Sequence, residues 1–327
     1  MKFNILTTMA VQCLAALAIA AGTPAQAETW PGKPIRLVAP VAAGSATDLV
    51  ARELASRLSK ELGQPVVVDN RPGANTGIGI MAVARSPADG YTWLLVSSTL
   101  TSSPALTKVT FDPVTDFTPV SILGYATTIA VASPGLKVHN VSDLIALAKS
   151  NPGAINYAYP SVGALGHLHS AMLAHTARIT LSGVPYKGSS PAMTDLLAGR
   201  IQFMFAPPGV VQPYVKAGKL VALGVVGAER LPLYPNVPTL KEQGIRGVDL
   251  EAWMGVLMPA GTPQSIVSRA NAAIDHVLRE PGASEAFDRA GIRTAPGGSS
   301  MAFARRIRDD LVEWPRLFAL AKISRLD

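Results

Sequence analysis

Cysteine occurs once in this sequence of 327 residues, at Cys13, and histidine only five times. A single cysteine excludes a disulfide framework and a thiolate metal site from the chain beyond it. Lipid attachment is excluded too, because Gln12 stands where a small residue is needed and the apolar run continues behind Cys13. The histidines cannot close on one zinc. His167 and His169 fall on different faces of a predicted helix, while His167 and His175 share a face but lie about 12 Å apart at a rise of about 1.5 Å per residue. After residue 27 no segment approaches the roughly 18 uninterrupted apolar residues that a membrane-spanning helix requires. No G-x-S-x-G, H-E-x-x-H or Walker loop is present. Glycine-rich "GANTGIG" (73–79) has the wrong spacing for G-x-G-x-x-G, so no nucleotide or other cofactor is expected. Serines such as Ser45 and Ser161 have no evident base and read as caps or hydrogen-bonding groups.

Charge is also sparse, at 16% of residues, with 29 Lys and Arg against 22 acids. The surplus favours an anionic ligand only mildly. The densest basic run, "RRIRDD" (305–310), is neutralised by its own Asp309 and Asp310 and has no interleaved aromatics, which argues against nucleic acid.

What is present begins with an export signal: Lys2, an apolar run from about Met9 to Ala21, then Ala25-Gln26-Ala27, a small-x-small cleavage pattern. Cleavage near Ala27 implies a periplasmic mature chain starting at Glu28. Short β-branched runs then alternate with helical patterns, at 35–39, 66–69, 92–97, 127–132, 155–159, 202–206 and 220–226. Near-continuously apolar strands separated by helices predict an α/β protein with parallel sheets covered on both faces. Ser45 with Asp48 fits a capping box ahead of a Val50, Leu54, Leu58, Leu62 face. Thr262-Pro263 opens a helix with Ile266, Ala270, Ile274 and Val277 buried. Phe303, Ile307, Leu311 and Trp314 form a third stripe, which Pro315 should kink or break. Without a disordered connector, two such lobes form a compact bilobal protein with a cleft between them.

Two segments repeat one design of strand, small-residue loop and helix: "PIRLVAPVAAGSATD" (34–48) and "INYAYPSVGALGHLHSAML" (155–173). A helix N-terminus offers unpaired N–H groups and the positive end of its dipole, so such a loop can bind an anion with backbone alone. A tight βα turn of small residues would read the same from the first segment by itself. Two loops facing each other could hold both ends of a dicarboxylate.

The segments "WPGKPIRLVAPVAAGSATD" (30–48), "LGQPVVVDNRPGANTGIG" (62–79), "SPADGYTWLL" (86–95), "DPVTDFTPV" (112–120), "NPGAINYA" (151–158), "VPYKGSSPAMTDLLAGRIQFMF" (184–205), "KAGKLVALGV" (216–225), "NVPTLKEQG" (236–244) and "WMGVLMPAGTP" (253–263) run in family order. In these the chain resembles a Bug-type periplasmic substrate-binding protein of the tripartite tricarboxylate transporter family. The resemblance implies a type II periplasmic-binding-protein fold, a Venus flytrap of two doubly wound sheets with a ligand cleft between lobes. Residues 28–125 and 253–327 would form lobe 1 and 126–252 lobe 2. It further implies a non-enzymatic receptor that passes a small carboxylate to membrane permease subunits, with a monomer as the default state.

By position, the resemblance assigns first-lobe ligand contacts to Val41, Ala42, Ala43, Gly44, Ser45, Ala46, Thr47 and Asp48, to Asn75, Thr76 and Gly77, and to Ser97 and Thr99. In the second lobe it assigns Tyr159, Ser161, Gly163, Ala164, His167 and Ala206. Asp48 could equally serve only to hold its helix start. This sequence departs from the family at four places. Ala42-Ala43-Gly44-Ser45 stands for Pro-Pro-Gly-Gly, Tyr159-Pro160-Ser161 for a Ser/Gly-rich stretch, Ala164 for a serine, and Ala206 for an aspartate. An aspartate there could attract an ammonium group and an alanine cannot, so the expected ligand lacks one. Tyr159 suggests an aromatic carboxylate stacked on its ring, unless it points into the core as the last residue of its strand. A ligand sensor for a membrane kinase system, and more remotely an exported α/β enzyme, are the competing readings.

Overall fold

A computed structural model describes residues 30–160, 162–186 and 188–325. The expected leader, Cys13 and Ser161 lie outside the described residues.

The first half of the chain lays down β1 (Ile35–Ala39), α1 (Ala46–Leu62), β2 (Val66–Asn70), α2 (Gly77–Ala84), β3 (Thr92–Ser97), α3 (Thr99–Leu106) and β4 (Phe117–Ala126). A second set follows: β5 (Ile129–Ala132), α4 (Val141–Ser150), β6 (Asn156–Tyr159), α5 (Leu165–Ala177), β7 (Ser182–Pro185), α6 (Ser189–Leu197), β8 (Phe203–Ala206), α7 (Pro208–Lys216) and β9 (Val221–Val225). The chain then returns through β10 (Ala252–Pro259), α8 (Gln264–Arg279), α9 (Ala283–Arg289), β11 (Ile292–Thr294) and α10 (Ser300–Leu320).

Two sheets result, ordered β11-β4-β10-β3-β1-β2 and β7-β6-β8-β5-β9. They are mixed, which corrects the expectation of parallel sheets. β1, β2 and β3 are parallel, but β10 runs antiparallel to both β3 and β4, and β5 antiparallel to β8 and β9. The reversal follows from connectivity. β4 carries the chain out of the first sheet and β10 brings it back beside β4, with Trp253 opposite Tyr125, so the two must run in opposite directions.

Both faces of each sheet are covered, as near-continuously apolar strands require. On the first sheet, Leu54 and Leu58 of α1 and Ile274 and Val277 of α8 pack with Leu37 and Trp93. Phe303 and Ile307 of α10 join Leu94 and Trp253 on the opposite face. Ser45 caps α1, its Oγ accepting from the Asp48 N–H at 3.3 Å. The α10 stripe is altered in two ways. The helix continues through Pro315 to Leu320, where burial of Trp314, Leu317 and Phe318 outweighs the lost N–H. Asp310, expected to neutralise the basic run 305–310, is buried. It pairs with Arg306 and accepts from Trp253 Nε1 at 2.6 Å and Thr101 Oγ1 at 3.0 Å. The last turns of α10 then leave the first sheet and complete the core of the second, beside Leu173, Phe203 and Phe205.

Candidate functional site

The first loop leaves β1 at Ala39. Its Ala42, Ala43, Gly44 and Ala46 are exposed, Val41, Ser45 and Thr47 are half-buried, and Asp48 is buried. Asp48 organises the turn. Its Oδ2 accepts from the Gly44 N–H at 2.8 Å and from Arg52 Nε at 2.9 Å, and its Oδ1 from Asn70 Nδ2 at 2.9 Å. Burial alone would raise this carboxyl, but the bonds from Arg52, Gly44 and Asn70 outweigh it and hold it below the usual range. The reciprocal bond of the expected capping box therefore goes to Gly44, one residue ahead of the cap.

The second lobe repeats this device with different chemistry. Gly163, at φ 78°, precedes the cap residue of α5 as Gly44, at φ 81°, precedes that of α1. Each glycine N–H donates to the side chain four residues on, Asp48 in the first lobe and His167 Nδ1, at 3.2 Å, in the second. Accepting at Nδ1 leaves the His167 proton on Nε2, and burial keeps the ring below its ordinary pKa and hence neutral. Ala164 offers no side-chain cap. The first amides of the helices, Ala46 and Thr47 in α1 and Gly166 and His167 in α5, donate to no described residue. No lysine or arginine stands in either loop. An anion there would be held by amides and helix dipoles.

Two further first-lobe segments flank the first loop. Ala74, Asn75 and Thr76 are all left-handed, at φ 46°, 48° and 74°, and Asn75 Nδ2 donates to Ser103 Oγ at 3.3 Å. Thr76 Oγ1 is buried without a hydrogen-bond partner among the described residues. Just beyond Gly77, Gly79 lets α2 close on the first loop, since a Cβ there would lie 2.7 Å from the Cβ of Pro40. Ser97 and Thr99 share a hydroxyl bond of 3.1 Å, and between them the Ser98 N–H donates to Trp253 O at 2.9 Å. The second-lobe loop reaches toward this helix, because a Cβ on Gly163 would meet Leu106 of α3 at 3.1 Å.

Tyr159 is half-buried, and the His167 imidazole is stacked on its ring. Ala206 is fully buried, opposite Ile129 and packed with Ala158, Val211 and Val225. Its side chain therefore belongs to the core of the second lobe.

Sequence reasoning missed a cavity of about 680 Å³, walled by Tyr125, Thr127, Pro208, Leu231, Leu233, Arg289 and Arg293 among others. None of the residues assigned above lines it. Asn75 and Gly77 border a smaller one of about 280 Å³. His169 is fully buried between Thr128 Oγ1 and Leu250 O, each 2.7 Å away. Burial lowers its pKa to about 4. No group of three metal-ligating side chains occurs among the described residues, nor a helix long and apolar enough to cross a membrane.

Comparison with known proteins accords with this architecture. The family model of the tripartite tricarboxylate transporter family receptor matches residues 50–321. Protein BugT of Bordetella pertussis is 36% identical over 267 residues, 81% of this chain and 82% of its own. An R. palustris protein solved with adipate superposes with a TM-score of 0.75 at 31% identity, covering 91% of this chain and 100% of that one. MatC from Rhodopseudomonas palustris, with bound malate, superposes with a TM-score of 0.69 at 27% identity, covering 88% and 99%.

Proposed function

The chain belongs to the tripartite tricarboxylate transporter receptor family, a family of periplasmic solute-binding proteins and not enzymes, and from this we propose that it captures a small dicarboxylate between its two lobes and delivers it to a membrane permease. The observation that carries the reading is the repeated helix start. Two loops, one per lobe, each place a left-handed glycine and unpaired first-turn amides ahead of a helix, without a cation. Such a pair is suited to two carboxylate groups on one molecule. Adipate and malate, bound by the two structural relatives, have that form and lack an ammonium group. The proposed contacts in the first lobe are the amides of the 41–48 loop, with Asn75, Thr76, Ser97 and Thr99. In the second they are the first turn of α5, His167 Nε2–H and the Tyr159 hydroxyl. An aromatic acid is the weaker candidate, because His167 already covers one face of Tyr159.

A thermal-shift panel of mono-, di- and tricarboxylates, amino acids and aromatic acids tests this. A ligand that binds only the folded state adds about 2.7 kcal/mol at a hundredfold excess over Kd. The expected result is a saturable rise in Tm with dicarboxylates and none with amino acids. A flat panel, from protein unfolded and refolded to strip carried-over ligand, would overturn the reading.

A further inference from the structure

We propose that lobe closure pivots at two points, the Ala126–Thr127 peptide and the φ and ψ torsions of Glu251, and that His169 is the positioning residue that fixes the second lobe to both crossings. This inference rests on the receptor reading.

On the way out, Ala126 is still in the first sheet, opposite Ala252 and Ile292. The next residue is already tied to the second lobe, with Thr127 Oγ1 donating to Val226 O at 2.5 Å. On the way back, two successive carbonyls are held from opposite sides. Leu250 O accepts from His169 Nε2 of α5 at 2.7 Å, and Glu251 O from Arg306 Nη2 of α10 at 3.1 Å. The Glu251 carboxylate is bound as well, by Arg293 Nη2 at 3.1 Å. Backbone rotation is thus left to the Ala126–Thr127 link on the way out and, on the way back, to the Glu251 torsions between one peptide plane held by the second lobe and the next held by the first.

Space flanks both. The cavity of about 680 Å³ touches Tyr125 and Thr127, and a second of about 430 Å³ touches Tyr125, Leu250, Glu251 and Arg306. The lobes also meet where α10 and Leu106 of α3 pack on the second core, through side chains, which can slide.

His169 joins these parts. Leu250 O can only accept, so Nε2 carries the proton and Nδ1 accepts from the Thr128 hydroxyl. One ring therefore clamps both crossings to α5, the helix that follows Gly163 and carries His167 in its first turn. A change of angle at the two pivots carries that binding loop as a rigid body.

Spin labels at Val67→Cys and Ser150→Cys, in a Cys13→Ser background, report the interlobe distance by pulsed electron resonance without any ligand. In His169→Leu the distance distribution should broaden by about twofold. His169→Gln, whose amide can donate to Leu250 and accept from Thr128, should restore most of the original width. The core variant Leu173→Ala on the same helix should lower Tm without broadening. An unchanged distribution in folded His169→Leu, or equal broadening in Leu173→Ala, would overturn the proposal. A protein that binds no carboxylate can still pass this test, so failure here is distinct from failure of the receptor reading.

Discussion

The His167 imidazole lies flat against the Tyr159 ring, with centroids 4.0 Å apart and planes 6° from parallel. Tyr157 leans on the same pair, 5.8 Å from Tyr159 at 38°, and burial followed by its charge coupling to Tyr159 pushes its own hydroxyl up to about 12. The stack orients the His167 Nδ1 that accepts from Gly163, so it supports the loop before any ligand arrives.

Tyr159→Ala should cost about 1–2 kcal/mol of stability through the lost ring pair. It should also weaken adipate and benzoate by similar factors in calorimetric titrations. A loss confined to benzoate would return aromatic stacking on Tyr159 to first place.

Asp48→Ala strands the Gly44 amide, Asn70 and Arg52 at once, and should destabilise the fold by about 2–4 kcal/mol in urea. Asp48→Asn keeps two acceptor lone pairs and should cost less. Arg52→Ala should cost under about 1 kcal/mol, since the Arg52 side chain is 55% exposed.

Ala206→Asp places a carboxyl in a site with no solvent exposure, opposite Ile129. The expected effect is a fall of about 3–5 kcal/mol in unfolding free energy. Weaker anion binding at unchanged Tm would instead put Ala206 on the cleft surface.

His169 gives stability a pH dependence of known sign. The unfolded imidazole takes up a proton near 6.5 and the folded one only near 4, so the unfolded state holds more protons between these values. Its contribution is complete above about 6.5, falls as pH drops through that window, and is lost by about 4, a change of roughly 3 kcal/mol. Urea titrations of wild type and His169→Gln should diverge across this range, and parallel curves would place the proton uptake elsewhere.

Where the chain obeys local rules, its sequence was readable. The α1 face, the Ser45 cap and the strands from 35, 92 and 203 follow from periodicity and capping alone. β4 and β10 were missed for a tertiary reason. Gly124 and Gly255 interrupt their apolar patterns, yet both are demanded by close approach: a Cβ on Gly124 would strike Arg293 O, and one on Gly255 the Phe303 ring. Asp310 was misjudged because its partners, Trp253 and Thr101, lie 57 and 209 residues away. The loops themselves were legible as small-residue helix starts, but the bonds from Gly44 to Asp48 and from Gly163 to His167 become visible only once each helix is built.

The reach of α10 into the second core has a bearing on how the molecule comes into being. Trp314, Leu317 and Phe318 complete a cluster that includes Val138 and Leu144, some 170 residues earlier. A nascent chain therefore cannot seal that cluster until α10 has left the ribosome, and its middle section waits, incompletely packed, for its end. The second core is thus finished by the last helix to be made, so a chain stopped before α10 leaves it open however complete its own strands are.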